Sequence, residues 1–589
     1  MMGLLQKALE TYDAMERLVG RYEEGKEPFA PIGHIVTRAQ IEITIDASGN
    51  FVEAKAADKD TKIIIPVTEE SSGRTSSPQA HPLCDQLGYV IKSDDSKFLL
   101  YLGQLESWAQ SEYCHPKVEA VLRYVKTGTL KEDLEKVGFS VNDEKAMICW
   151  RVVGLGEDSG PVWSDISLMK SYTDYYLSRK NGEETICMLT GTITSVTWQH
   201  LKGAFSLNGN AKIISANDSV NFTYRGRFSE REEAASVGYV ASQKAHNALK
   251  WIISTQGTIH GGRAFVCWNP QGMPLPKLQV PALFEDDKEE LPDYKRYRAA
   301  LRNKLNGYEA QLDANDQVIV AAFDAATTGR LAITYYNELR GSDFLERIAY
   351  WDETFCWPYS SKRISSPSLH AVISFAFGIP RGTPQRIEVD EAIEAGHMQR
   401  LLSCRIDQAA FPLDIMRALI TRAGNVQIYE EKNRRRLMHI ACAAIQKYYI
   451  DHHKEAFDLA LEPERKDRSY QWGRLLAVME KIERDTYDAA ENRETNAIRM
   501  QSVFIRRPGY AAKIIMDQLK TAYYPKLKTG QRIYYDRLIG EIMDMLSQFN
   551  QDEYGKPLTE SYLPGYYLQK NAFYTKKDNN ETEDENYEV

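Results

Sequence analysis

The pattern of apolar residues changes near residue 340, and that change limits the fold more than any other feature of the sequence. Before it, two periods alternate. Ile41-Glu-Ile-Thr-Ile-Asp46 has the apolar–polar alternation of a strand, Ala47-Ser-Gly-Asn50 supplies a turn, and Phe51 opens the returning strand. Lys62–Val67, Lys145–Val153, Glu183–Val196 and Arg263–Trp268 read as further strands. Gln317–Phe323 and Leu331–Tyr336 read as an antiparallel pair around Ala325–Arg330. Helical spacing covers residues 1–23, where Leu4, Leu5, Ala8, Leu9, Tyr12, Met15 and Leu18 share a stripe, and 230–251. Residues 104–138 read as two helices joined near Thr127-Gly128-Thr129. After residue 340 glycine thins, strand signals disappear, and Tyr470–Asn550 is almost wholly helical. The fold class this implies is α+β: a mixed α/β N-terminal half with antiparallel strands, then an all-α helical-bundle C-terminal part.

A chain of 589 residues exceeds what one core can organise. The expected regions are 1–340, mixed and divisible near residue 200; 341–465, helical and connecting; 466–570, a C-terminal helical bundle; and 571–589, an acidic tail too polar to fold. No apolar run is long enough for a membrane-spanning helix, and the N-terminus lacks a signal-peptide pattern, so a cytoplasmic protein is expected. The eight cysteines contain no C-x-x-C pair, which argues against structural zinc and for reduced, mostly buried thiols.

Catalytic signatures are missing. There is no G-x-x-x-x-G-K-[ST], no H-E-x-x-H and no G-x-S-x-G. Gly154–Gly160 has the wrong spacing for a dinucleotide fingerprint, and Glu157 and Asp158 would repel phosphate. Asp451-His452-His453 could ligate a metal, but adjacent histidines on a helix point apart. Cys114-His115 is a poor nucleophile–base pair, because such partners come from separate elements. Asp324 with Arg330 reads as a turn-stabilising pair. No cofactor and no metal set is expected, and the chain reads as a non-enzyme, with a metal-dependent nuclease or a structural scaffold as rivals.

Nucleic-acid chemistry has better support. The net charge of −9 argues against a protein coated in nucleic acid but not against a local basic surface. Thr68–Gln86 is dense in hydroxyls and holds Gly73 and Arg74, a donor fork suited to phosphate or a guanine edge. Residues 201–228 are rich in Asn, Gly and Ser, with Lys212, Arg225 and Arg227 among aromatic residues. The runs at 295–304 and Arg434–Arg436 each read as solvated helix faces. Toward the C-terminus Arg499, Arg506, Arg507, Lys513, Lys520, Lys526, Lys528, Arg532 and Arg537 face only Asp517 and Asp536, with Tyr523, Tyr524, Tyr534 and Tyr535 interleaved. Such a mixture suits a single strand of nucleic acid.

These stretches carry a resemblance. Arg74-Thr-Ser-Ser-Pro-Gln-Ala-His-Pro-Leu-Cys-Asp85 is similar to an Arg-Thr-Ser-Gly-x-x-Pro-Asn-Phe-Leu-Cys-Asp pattern of the large subunit of type I-C CRISPR Cascade complexes. Gly209–Asn217 leading to Tyr224, Gly329–Tyr336, Tyr470–Lys481 and Tyr534–Ile542 resemble further segments of that family, in the same order. The sequence departs from it at Ser77, at His81-Pro82 and at Ala216. The resemblance implies a subunit at the 5′ end of the guide RNA that reads a protospacer-adjacent motif in double-stranded DNA. It also implies help with R-loop formation, a hold on the displaced strand, and docking of a helicase–nuclease. Partners would be the crRNA-bearing backbone and 5′-end subunits, and a small subunit made from an internal start in the same gene, which the C-terminal helices resemble. Motif reading would fall to Arg74, Thr75, Ser76, Ser77, Gln79, His81, Asn208, Asn210, Lys212 and Asn217. Phosphates and the displaced strand would be tracked by Arg225, Arg227 and the basic residues from Arg499 to Arg532.

Overall fold

The computed structural model describes every residue except 1, 24, 59–60, 75–76, 94, 206–208, 217–224, 284–289, 326–328, 489–490, 492 and 575–589. The fold is mixed, with antiparallel sheets and helices in the N-terminal half and mostly helix in the C-terminal part. The chain forms two compact units: Met1–Leu275 with Asp316–Leu339, and Pro276–Asn315 with Arg340–Val589. Among the described residues no helix is long and apolar enough to cross a membrane.

The first unit contains two apolar cores. One is built on a four-stranded sheet in the order Phe51–Ala56, Ile41–Asp46, Ile148–Val153, Gly160–Pro161. Ile41–Asp46 turns back antiparallel into Phe51–Ala56 but runs parallel to Ile148–Val153. A parallel pair needs a long crossover. Helices Ser96–Ala109, Pro116–Thr127 and Leu130–Lys136 provide it, and their buried residues, Trp108 and Tyr124 among them, fill this core. The expected two helices over 104–138 are therefore three. The break falls where His115 Nδ1 accepts from Lys117 N (3.2 Å) and Pro116 occupies the first helical position.

The second core lies on the sheet Thr258–His260, Arg263–Trp268, Gln317–Asp324, Ala332–Arg340. Leu4, Leu5, Ala8 and Tyr12 of helix Met2–Ala14 form the buried stripe that meets helix Tyr239–Gln256. Trp268 Nε1 donates to Thr11 Oγ1 (3.1 Å), so the helix is held by a polar contact inside an apolar interface. Asp324 pairs with Arg263 across the ladder (2.7 Å). The stretch 183–196 is a hairpin rather than one strand, Glu184–Ile186 against Ile193–Thr197. Gly191, at φ +70, makes the turn.

The second unit is helical around one central post. Helix Arg468–Arg484 is buried on nearly all sides, and helix Tyr562–Ala572 packs directly on its backbone. The contact is glycine on backbone: a Cβ at Gly473 would lie 1.9 Å from Tyr562 O, and one at Gly565 2.2 Å from Tyr470 O. Arg405 and Asp352 form a fully buried ion pair (3.2 Å). Arg405 also donates to the carbonyls of Leu278 and Val280, and Asp352 accepts from Ala282 N (2.7 Å). Segment 278–282 is thereby tied to helices Gly341–Thr354 and Glu391–Ile406. Strand is not absent after residue 340. Two short antiparallel ribbons occur, Trp357–Ser360 with Arg363–Ser365 and Ile379–Arg381 with Arg386–Glu388. Each is too short to show a period in the sequence.

Candidate nucleic-acid interface

The Thr68–Gln86 stretch is pinned rather than loose. Strand Lys62–Pro66 delivers Thr68, which caps the short helix Glu69–Ser72 reciprocally: Thr68 Oγ1 accepts from Ser71 N (3.0 Å) and Ser71 Oγ from Thr68 N (2.9 Å). Beyond Gly73 the Arg74 side chain folds inward. Its Nη1 and Nη2 donate to the two oxygens of Asp85 at 2.8 and 2.6 Å, Nη1 also reaches Gln79 O (2.7 Å), and the guanidinium lies 4.5 Å over the Tyr89 ring. Asp85 is fully buried and also accepts from the backbone N–H groups of His81 and Gln86, both at 2.7 Å. Burial raises the Asp85 carboxyl above the ordinary aspartate value, and Arg74 opposes that rise. His81 is buried, with Nδ1 2.9 Å from Ser71 Oγ, and burial, with Arg74 and Lys202 nearby, holds its imidazole neutral. Leu83 sits at φ +75, a conformation costly for leucine. Its carbonyl compensates by accepting from both Tyr101 OH (2.6 Å) and Trp150 Nε1 (2.7 Å).

The second predicted stretch meets the first. Strand Ile193–Thr197 leads to Gln199, whose Oε1 lies 3.0 Å from where a Gly73 Cβ would stand, and to Lys202, whose Nζ donates to Arg74 O (3.2 Å). Gly203, at φ +71, has no room for a side chain against Gly209 O, and Gly203 N donates to Ala211 O (2.9 Å). The following Lys212 is fixed by its backbone to Gly329 and Leu331. Burial lowers the ammonium of Lys202, with Arg74 adding to it, and that of Lys212, with Lys202 adding. Among the described residues no carboxylate pairs with either lysine. Beneath them the rings of His200 and His246 stack at 5.6 Å, with each Nδ1 2.8 Å from an oxygen of Ser242. Burial keeps both neutral, His246 at about 4. Arg74, Lys202 and Lys212 thus share a corner in which, among the described residues, Asp85 is the one contacting carboxylate.

The predicted residues divide accordingly. Ser77 and Asn210 are exposed, and Gln79 and Lys212 are half-buried. Arg74 and His81, both expected among the motif-reading residues, are turned into the fold. Their neighbours explain this: a buried Asp85 must be paired, and among the described residues Arg74 is the cation that reaches it. Thr75, Ser76, Asn208 and Asn217 lie outside the described residues. Arg225 donates to Ser229 O (2.7 Å), and Arg227 is exposed beside Phe228. Lys202 was not singled out from the sequence; its only signal was a lone lysine before a glycine at a strand exit.

In the second unit Arg499, Arg506, Arg507, Lys513, Lys520, Lys526 and Lys528 are exposed, and among the described residues none has a carboxylate partner. Arg532 instead donates to the carbonyls of Leu527 (3.1 Å) and Pro525 (2.9 Å), closing the preceding turn. Tyr523 and Tyr535 are core residues and Tyr524 is half-buried; Tyr534 is 43% and Tyr510 60% exposed. The catalytic candidates are structurally engaged. Asp451 Oδ2 accepts from Phe411 N (3.0 Å), and His452 Nε2 lies 3.0 Å from Phe411 O. Burial and Glu119 push the Cys114 thiol up to about 11, away from thiolate.

A family model described as CRISPR-associated protein (Cas_Csd1) matches residues 10–574. The chain belongs to that family, the large subunits of type I-C Cascade. Membership implies an assembly with other CRISPR-associated proteins and crRNA. No curated protein matches the chain.

Proposed function

We propose that this chain is a non-catalytic subunit that reads the protospacer-adjacent motif in double-stranded DNA and helps to form the R-loop. The observation that carries the reading is the corner where Arg74 from one stretch and Lys202 and Lys212 from another stand, among the described residues, against one contacting carboxylate. Excess positive charge half out of water attracts a phosphate backbone, and the exposed Ser77 and Asn210, with the neighbouring Gln79, supply neutral donors and acceptors beside it. Arg74 acts here as the brace of the loop, and the lysines make the contact. The exposed C-terminal cations with Tyr510 and Tyr534 suit the displaced strand. In the assembly the chain would stand beside the crRNA-bearing backbone and 5′-end subunits. It would recruit the helicase–nuclease after R-loop formation and work with a small subunit made from the same gene.

The test is duplex binding by the assembled complex across a salt series. Lys202→Gln with Lys212→Gln should lower the salt slope by about 1.8, two phosphates at roughly 0.9 each, and weaken motif-bearing duplex. An unchanged slope and affinity would remove the corner from the interface. Sustained Mg²⁺- or Mn²⁺-dependent DNA cleavage by the purified chain, lost in His452→Ala, would overturn the non-catalytic reading.

A further inference from the structure

We propose that helix Tyr294–Glu309 of the second unit carries a separate, preorganised clamp for the backbone of single-stranded nucleic acid. Tyr294, Arg298 and Arg302 lie at positions i, i+4 and i+8, so they share one helix face at about 6 Å intervals. Together with Lys295 and Ala299 they line an open groove of about 560 Å³. The two arginines are held in an unusual way. Arg298 Nε (3.3 Å) and Arg302 Nε (2.7 Å) both donate to the same oxygen, Oε1 of Glu353. Glu353 is 11% exposed and fixed on helix Gly341–Thr354, whereas the arginine side chains are 56% and 43% exposed. One anchored carboxylate therefore fixes two guanidiniums by their inner nitrogens. Among the described residues neither pair of Nη groups has a partner, so both forks remain for a ligand.

Three cations, Lys295, Arg298 and Arg302, face one carboxylate here, so the groove keeps a positive excess. Of the neighbouring described acids in sequence, Asp293 pairs with Arg296 (3.5 Å) and Glu290 with Lys362 (2.7 Å). Paired guanidinium forks fit phosphate oxygens, and holding them in advance lowers the entropy lost on binding. Tyr294 adds a ring that is 40% exposed at the end of the row. Burial pushes its hydroxyl up, with Cys356 and Glu353 adding to the rise and Arg298 and Arg302 opposing it. Two phosphate forks followed by a stacking surface match a single strand, whose bases are free to stack, better than a duplex. Glu353 is a positioning residue in this arrangement, and Tyr294, Arg298 and Arg302 make the contacts. This clamp is independent of the corner in the first unit and of the C-terminal basic face.

The experiment uses the purified full chain with labelled single-stranded DNA, single-stranded RNA and duplex DNA over a salt series. Arg298→Gln with Arg302→Gln should lower the single-strand salt slope by about 1.4, two contacts at roughly 0.7 each. Tyr294→Ala leaves the Glu353 pairings intact, so it reports on the site even if the double variant folds poorly. It should weaken single-strand binding by about fivefold or more and leave duplex binding nearly unchanged. A larger effect on RNA assigns the guide as the ligand, and a larger effect on DNA assigns a displaced strand. Photocrosslinking of a halogenated strand should place an adduct on the tryptic peptide Glu289–Lys295. Unchanged single-strand affinity in Tyr294→Ala, or adducts confined to other peptides, would overturn the proposal.

Discussion

Replacing Arg74 by alanine separates a brace from a reader. In the fold both its Nη atoms are spent on Asp85, whose carboxylate is fully buried. Removing one partner of a buried pair costs about 3–5 kcal/mol, because the remaining charge stays out of water. Asp85 keeps two backbone donors, from His81 and Gln86, which points to the lower end, and loss of the contact over Tyr89 adds about 0.5–1 kcal/mol. The sum is about 3–4 kcal/mol, or roughly 6–10 °C in the melting of the first unit. The pH dependence follows from the raised Asp85 carboxyl. A raised folded value stabilises the fold below the ordinary aspartate range, and that contribution is lost as pH rises through the folded value. Arg74→Ala removes the cation that opposes the rise, so the folded value climbs further. The deficit relative to the unaltered protein should therefore shrink from pH 8 toward pH 5. Arg74→Ala with Asp85→Asn should recover about half of the loss. Differential scanning fluorimetry at both pH values, run beside duplex binding, reads all of this. Normal melting of Arg74→Ala together with lost motif binding would refute the reasoning and return Arg74 to the interface.

Other substitutions test neighbouring steps. Lys202→Gln should leave melting within about 0.5 kcal/mol of the unaltered protein while weakening duplex binding, since among the described residues its ammonium donates to one carbonyl, Arg74 O. Arg405→Met should destabilise the second unit by about 3–5 kcal/mol, and Arg405→Met with Asp352→Leu by much less, measured by urea unfolding. Gly473→Ala should cost about 3 kcal/mol from the clash with Tyr562 O, outweighing a helix-propensity gain of about 1 kcal/mol; a more stable variant would contradict the close helix contact. His34 and His246 are each pushed from 6.5 to about 4 by burial, so each should remove roughly 3 kcal/mol from the first unit as pH falls from 6.5 to 4, seen as a falling melting temperature.

The sequence was most legible where local period and burial agree. Ile41–Asp46 could be bounded to the residue by its apolar–polar alternation, and Arg263–Trp268 by a short β-rich apolar run between Gly261-Gly262 and Asn269-Pro270, although both strands are buried on both faces. Long-range features left no local trace. The parallel pairing of Ile41–Asp46 with Ile148–Val153 depends on a helical crossover, and neither strand announces its partner. The candidate site was half legible for the same reason. Composition marked the hydroxyl-rich stretch, but an arginine there can face solvent or fold inward, and that choice rests on Asp85 eleven residues away. Lys202 gains its meaning only from Arg74, which no spacing rule connects to it.

The chain path has a consequence for how the protein is made. Residues 276–315 belong to the second unit, yet the strands that complete the first unit's sheet, Gln317–Asp324 and most of Ala332–Arg340, come after them. Synthesis therefore delivers a piece of the later unit before the earlier one can close. Leu278 and Val280 must wait for Arg405 to emerge before their carbonyls find a donor. No single cut releases either unit whole. A shortened chain keeps Arg405 supplied with its carbonyl partners only if it begins before Leu278, and one that begins after Arg405 escapes the requirement altogether.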